Sequence, residues 1–401
     1  MRSLPFRPLL VVVAIVAVAL NLRPALAAIG PLLDMIQAAT GATHTQASLL
    51  TTLPVFVMGL CALAGRHVTG RLSERGGIGL GLALVALACL ARYVAVDTYG
   101  LLLTAAVAGV GIALVQTLLP AFIKRHFAHE MGRVFGLYTT GIMAGAAIAA
   151  AGAAGLAGQM GWPAALAFWS LPAVVALPLW LNAARGQSSR GQSARRASPR
   201  LPASRPAPHS FWRNLRAWEL MLFFGIGTGA YTLVLAWLPP FYTSLGWAPS
   251  AAGFLLGGLT LAEVMAGLAV SAWIGRFPDR RTPLAAVLVI LICGLACLIL
   301  APLNLALLAC LLLGVGIGAL FPLSLIVAMD HVDDPAQAGM LAAFVQGGGY
   351  VIASFMPLLA GVLRDRFSSL SQAWVVMLGG AIVLLALALR FSPASYRRIA
   401  A

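Results

Sequence analysis

Apolar residues fall along this chain in long unbroken runs, separated by short turns rich in charge, proline and glycine. A run of about 20 apolar residues is what an α-helix needs to cross the hydrocarbon of a bilayer. Twelve spans can be drawn, at roughly 8–34, 46–65, 78–97, 100–123, 133–157, 163–183, 217–240, 250–274, 282–301, 304–328, 338–362 and 372–392. The pattern predicts an all-α membrane protein of twelve transmembrane helices. Spans 1 and 11 are long enough to call for tilt or a kink.

The first span is interrupted. Leu9 to Leu20 is wholly apolar, Asn21-Leu22-Arg23-Pro24 follows, and the run resumes from Ala25 to Leu33. Pro24 removes a backbone donor and predicts a break. An arginine at that depth costs about 2.5 kcal/mol or more on insertion scales, so it reads as a functional group facing a cavity. A guanidinium offers five donors in a planar fork and stays charged when dehydrated, which suits a small anion. The competing reading is an arginine locked in an ion pair or bonded to carbonyls that hold the kink.

Composition excludes a soluble domain. Apolar residues make up 61% of the 401 and charged residues 9%, against about 45–50% and about 25% in soluble domains. The net charge of +15 is distributed asymmetrically: with the N-terminus inside, 22 of the 26 Lys+Arg residues fall in inside segments. Outside lie Arg364 and Arg366; Arg23 and Arg92 lie within spans. This positive-inside bias predicts both termini in the cytoplasm. Scattered over separate segments without stacking aromatics, these charges exclude a nucleic-acid reading. Cys61, Cys89, Cys293, Cys297 and Cys310 sit inside apolar segments and read as packing residues, not disulfides or metal ligands. The six histidines lie in or beside loops without metal-ligand spacing, and no phosphate loop or nucleophile elbow is present. No enzyme activity, cofactor or metal is expected.

Residues 184–216 form the one long polar stretch, rich in Arg, Ser, Pro and Gln, and read as a basic cytoplasmic linker between 1–183 and 217–401. The two parts share residues at an offset of 205: Gly70-x-x-x-Glu74-Arg75 recurs as Gly275-x-x-x-Asp279-Arg280, and Gly109-Val110-Gly111-Ile112 as Gly314-Val315-Gly316-Ile317. Each glycine pair is followed by a proline, Pro120 or Pro322. The chain is expected to be two six-helix bundles, parallel repeats with a solute site at their interface, as in the major facilitator architecture. The Gly-x-x-x-acid-Arg loops are read as gating latches: the glycine lets the helix end pack tightly, and the carboxylate holds a neighbouring helix end.

Further motifs resemble a known family. Asn21-Leu22-Arg23-Pro24 with Gly30-Pro31-Leu32-Leu33, Thr51-Thr52-Leu53-Pro54, Gly136-Leu137-Tyr138-Thr139-Thr140, Ala236-Trp237-Leu238-Pro239-Pro240 and Gln346-Gly347-Gly348-Gly349-Tyr350 with Pro357 are similar to the cyanate/2-nitroimidazole (CynX/NimT) family of major facilitator transporters. The likeness spans both halves and leaves out the linker. It implies a secondary transporter of small compounds, cyanate-like anions and nitroimidazole-like heterocycles among them. Two positions depart from the pattern: Asp330-His331 replaces an expected basic residue, and Glu263 is a carboxylate where the family is more often uncharged.

The candidate substrate residues are Arg23, Asn21, Gln116, Tyr138, Tyr231, Trp237, Gln346 and Tyr350, with Thr139 beside them; Gln346 and Tyr350, four apart, share a helix face. Glu263, deep in span 8, is a proton carrier, a counter-ion for Arg23, or a hydrogen-bonded structural acid. Asp34 is a weaker proton candidate at the mouth. Arg92, one turn from the end of span 3 and near Asp97, is expected to snorkel to the interface. Gly141-x-x-x-Gly145 and Gly347-Gly348-Gly349 are expected to let helices approach closely.

The expected protein is a monomeric bacterial inner-membrane transporter moving a small anion by alternating access, with possible use of protons left open. The alternatives are a proton-antiport exporter of nitroimidazole-like or other drugs, and a non-transporting membrane receptor.

Overall fold

The computed structural model describes residues 6–64, 72–127, 130–185, 211–332, 334–393 and 396. Gly70 and the 186–210 portion of the linker lie outside them. Twelve helices among the described residues are long and apolar enough to cross a membrane. Helix α1 runs in three pieces, Phe6–Leu20, Pro24–Ala27 and Ile29–Thr40, and is followed by α2 His44–Leu63, α3 Glu74–Ala91, α4 Thr98–His126 and α5 Met131–Met160. Helix α6 has two pieces, Trp162–Phe168 and Ser170–Ala183. The second half comprises α7 Leu215–Ser244, α8 Pro249–Trp273, α9 Arg281–Leu300, α10 Ala306–Asp330, α11 Pro335–Phe367 and α12 Ser371–Leu389. Twelve crossings put the start of α1 and the end of α12 on one side, the termini face; the opposite side is the far face.

Several helices exceed the apolar runs that announce them. Helix α11 has 33 residues, about 50 Å at 1.5 Å per residue, against a hydrocarbon core of about 30 Å. The extra turns are polar at their starts and set by side-chain caps. Thr43 and Gln46 form a reciprocal capping box on α2, Asp97 accepts from the Gly100 amide at 2.8 Å on α4, and Asp334 accepts from the Gln337 amide at 3.0 Å on α11. Each occupies amide donors that the first turn cannot satisfy internally.

The repeated glycine pairs do equivalent packing in the two halves. A Cβ on Gly109 would come within 2.6 Å of Pro54 in α2, and one on Gly314 within 2.6 Å of the Leu259 carbonyl in α8. Two residues on, Gly111 lies against Gly81 of α3, and Gly316 lies 2.9 Å from Leu291 of α9 by the same measure. Thus α4 is wedged between α2 and α3 as α10 is between α8 and α9. The halves meet where α2 runs along α11 and α5 along α8. Gly347 lies on Leu63 of α2, while Gly348 and Gly349 lie on Met221 and Phe224 of α7, so the triple glycine serves packing on both sides. Small residues at such seams let backbones approach without a hydrophobic drive.

Candidate functional site

The break in α1 has a backbone cause. Pro24 carries no N–H for the Leu20 carbonyl, so the first piece ends there. Asn21 and Leu22 amides turn back to Val18 and Ala19 at 3.1 Å each, and the helix restarts with the Arg23 carbonyl accepting from Leu26 and Ala27 at 3.0 and 2.9 Å. Pro31 withholds the donor for the Ala27 carbonyl, and a second discontinuity follows at Ala28. Asn21 Nδ2 donates to the Ala17 carbonyl at 2.7 Å, tying its amide into the turn. Gly145 of α5 lies directly on the Leu20 carbonyl, where a Cβ would collide.

Arg23 is thereby held in the unwound segment, 5% exposed. Its guanidinium carbon lies 5.3 Å from the centre of the Tyr231 ring of α7. Tyr350 of α11, Tyr138 of α5 and Glu263 of α8 are the other ionisable groups acting on it. Helices of both halves therefore contribute to one buried cluster. Gln346 Nε2 donates to the Tyr350 hydroxyl at 3.4 Å, along the shared face of α11. Arg23 Nε, the Tyr231 hydroxyl and both carboxyl oxygens of Glu263 are buried without a hydrogen-bond partner among the described residues. Buried polar groups normally find partners, so this cluster has bonding capacity to spare for a small polar solute. Glu263 is also fixed in place: Gly318 of α10 lies on its Cα and carbonyl, where a larger residue would push α8 and α10 apart.

Of the other predicted residues, Thr139, Trp237 and Asp34 make their hydrogen bonds outside this cluster. Gln116 is half-buried on α4. Thr139 is exposed and bonds the Phe135 and Gly136 carbonyls, because one residue's turn of the helix separates it from inward-facing Tyr138. Trp237 is fully buried; its indole donates to the Pro357 carbonyl at 2.9 Å, and its ring lies 5.4 Å from the Arg364 guanidinium. It braces α7 against α11. Asp34 lies toward the far face, accepting from the Thr243 hydroxyl and standing 3.8 Å from Arg364 Nη1. Beside it, a depression of about 350 Å³ is lined by Gln37, His44 and Asp365.

At the far face a second carboxylate joins the halves. Asp365 of α11 accepts from the His44 amide at 3.0 Å, the Thr45 amide at 2.9 Å and the Thr45 hydroxyl at 2.6 Å. It thus caps α2 from the opposite half. Nothing in the chain order around Asp365 points to this contact, since its partners lie more than 300 residues away.

At the termini face the two loops close differently. Glu74 pairs with Arg125 of α4 at 3.1 Å, and the Arg75 carbonyl accepts from the Trp180 indole at 3.1 Å. In the second half Asp279 turns onto Arg281, and hydrogen bonds from that residue hold its carboxyl below the ordinary range. Arg280 makes the bridge instead, to Asp330 of α10 at 2.8 Å, and donates to the Ile274 and Phe277 carbonyls. Gly275 has open space around its Cβ direction, so tight packing does not explain it.

Arg92 corrects the snorkelling expectation. It is 1% exposed, and Nη1 donates to the Ala25 carbonyl of broken α1 at 2.8 Å while Nε donates to the Thr104 hydroxyl at 3.3 Å. Asp97, its neighbour in sequence, caps α4.

Two six-helix bundles with a buried polar cluster at their seam define a membrane transporter that works between two bundles. The chain belongs to the major facilitator superfamily, and within it to the cyanate/2-nitroimidazole transporter family. The family model for the Major Facilitator Superfamily matches residues 9–354. The chain is 36% identical over 386 residues to the cyanate transport protein CynX of Escherichia coli K12, covering 96% of this chain and 98% of that one. It is 32% identical over 377 residues to the 2-nitroimidazole transporter of the same organism, covering 94% and 92%. In fold it is similar to a bacterial homologue of the lysosomal transporter Spinster, crystallised inward-facing and occupied, with a TM-score of 0.79 at 15% identity over 97% of each chain.

Proposed function

We propose that this transporter carries a small anion of the cyanate kind across the bacterial inner membrane by alternating access, with Arg23 as its charged contact. The observation that carries the reading is the state of Arg23: buried in a broken helix, aimed at the seam between halves, with Nε unbonded and no carboxylate within ion-pair distance among the described residues. Tyr138, Tyr231 and Tyr350 surround the same point with hydroxyl donors, and Gln346 backs Tyr350. Glu263 is the proton site in this scheme. A carboxyl buried without any donor is stable only when neutral, and carrying its proton with the anion offsets an inside-negative potential of about 2.3 kcal/mol per 100 mV. Both termini face the cytoplasm, on the charge bias of the inside segments, and the monomer is the working unit because one chain supplies the whole cluster.

The test is counterflow in proteoliposomes, with labelled cyanate and a labelled nitroimidazole measured side by side. Cyanate exchange that collapses in Arg23→Gln supports the proposal. Nitroimidazole exchange alone, with much of it surviving Arg23→Ala, would replace it with an exporter in which aromatic rings do the binding. Ligand binding without flux of either compound would favour the receptor.

A further inference from the structure

Arg92 is a buried cation with no carboxylate partner among the described residues. It is 1% exposed, and among the described residues no carboxylate lies within ion-pair distance of it. Its bonds go to a backbone carbonyl and a hydroxyl, and Nη2 has no partner among the described residues. Burying a charge without a counter-ion is costly, so packing alone does not account for an arginine here; a leucine would fill the volume without that penalty.

The identity of the acceptor explains it. Ala25 lies two residues after Arg23, in the piece Pro24–Ala27 that separates two breaks. In an unbroken helix its carbonyl would receive the amide four residues on, across the discontinuity at Ala28. Arg92 supplies a charged donor to that carbonyl from the C-terminal end of α3, where the helix dipole also favours a cation. Thr104 of α4 donates its own proton to the Leu101 carbonyl at 2.7 Å and so presents its oxygen to Arg92 Nε, fixing the fork. A chain of bonds thus runs from α4 through Arg92 to the segment that bears Arg23.

We infer that Arg92 is the positioning residue of this transporter: it clamps the Pro24–Ala27 piece to the N-terminal bundle, so that Arg23 keeps its aim at the seam while the halves move. The role rests on the reading of Arg23 as the solute contact, but the clamp can be tested apart from it.

The experiment is hydrogen–deuterium exchange on the full-length protein in lipid nanodiscs, followed in peptides covering residues 21–30, with uptake of labelled cyanate measured on the same preparations. Losing a hydrogen bond from a charged group raises local opening by about tenfold or more. Arg92→Ala should speed exchange in 21–30 to that extent and leave the peptides of the C-terminal half unchanged, and Arg92→Lys should restore most of the protection. Thr104→Val, which removes the Nε acceptor and the local bond to the Leu101 carbonyl but keeps the Arg92–Ala25 bond, should give a smaller rise confined to the same stretch; it decides the matter if Arg92→Ala loosens the whole bundle. In uptake, KM should rise with Vmax per folded transporter retained, whereas a merely structural arginine would lower Vmax at constant KM. Unchanged exchange in 21–30 in both variants overturns the clamp, as does a fall in Vmax at constant KM. If the wild type carries no cyanate, that failure counts against the proposed substrate, and the exchange measurement still decides the role of Arg92.

Discussion

Arg125 and Asp330 occupy equivalent positions, 205 residues apart at the termini-face ends of α4 and α10, and each closes an ion pair to the start of the preceding helix with opposite polarity. In the first half the loop supplies the carboxylate, Glu74, and the helix end the arginine. In the second half the loop supplies Arg280 and the helix end the carboxylate. Asp330, which departs from the expected basic residue, is therefore matched by its partner. Asp330→Arg should place two cations together and reduce transport, and adding Arg280→Glu should restore it by recreating the polarity of the first half. Both pairs are partly exposed, so each is worth only about 0.2–1 kcal/mol. The readout is therefore a double-mutant cycle on transport rate, with a melting shift of a few degrees at most.

Arg23→Gln should raise the KM for a transported anion about 10- to 100-fold, the loss of about 1.5–3 kcal/mol that a charged hydrogen bond contributes. Arg23→Lys should recover only part of it, because an ammonium cannot present a planar fork. Concentration-dependent counterflow of labelled cyanate measures both.

Glu263→Gln keeps the shape of the side chain and removes the exchangeable proton. Uptake driven by an imposed pH gradient should fall to the level without a gradient, while counterflow, which needs no net proton movement, should persist. Gradient-driven uptake equal to wild type in this variant would leave Glu263 a structural acid.

Asp365→Asn should loosen the far face. The carboxylate bonds three donors at the start of α2, and a charged helix cap is worth about 0.5–2 kcal/mol. The population open at the far face should rise several-fold, read as faster labelling of a cysteine introduced at the mouth.

His331 provides a pH signature. It is buried beside Arg216, Glu219, Asp330 and Tyr396, with Arg390 paired to Glu219; its Nδ1 faces the Val327 carbonyl at 2.7 Å and Nε2 faces Arg216 Nε at 3.2 Å, which fixes the neutral ring. Burial first, then the Arg216 charge, push its pKa down to about 4, with the Val327 carbonyl opposing. The unfolded chain titrates near 6.5, so stability from this site is complete above 6.5, falls as pH drops toward 4, and levels off below. The difference is on the order of 3 kcal/mol. Thermal unfolding of wild type and His331→Gln between pH 4 and 7 should show the slope in the wild type and its loss in the variant.

The helix count, the break in α1 and the repeat were legible because each leaves a local mark: apolar length, a proline behind an arginine, glycines at a constant offset. Tyr138 and Thr139 were harder to separate, since adjacent residues on a helix point 100° apart and only packing decides which faces the seam. Arg92 departs from the snorkelling pattern because the acceptor that holds it inside is a backbone carbonyl 67 residues away, freed by a break whose consequences no side-chain pattern records. Trp237 combined an aromatic ring with a motif position, yet its indole serves the Pro357 carbonyl. Asp365 carried no sign of its role, because a cap supplied from another helix has no sequence spacing.

Where the halves touch, backbone often meets backbone: Gly59 lies on the Gly347 carbonyl, Gly253 on the Ala150 carbonyl and Gly30 on the Leu235 carbonyl. A surface without protruding side chains works as a plain bearing, with few teeth to disengage when one bundle tilts against the other. Its weakness is that a single added methyl group acts as grit. Substitutions at these glycines should jam the cycle while the lipid-facing exterior tolerates far larger changes.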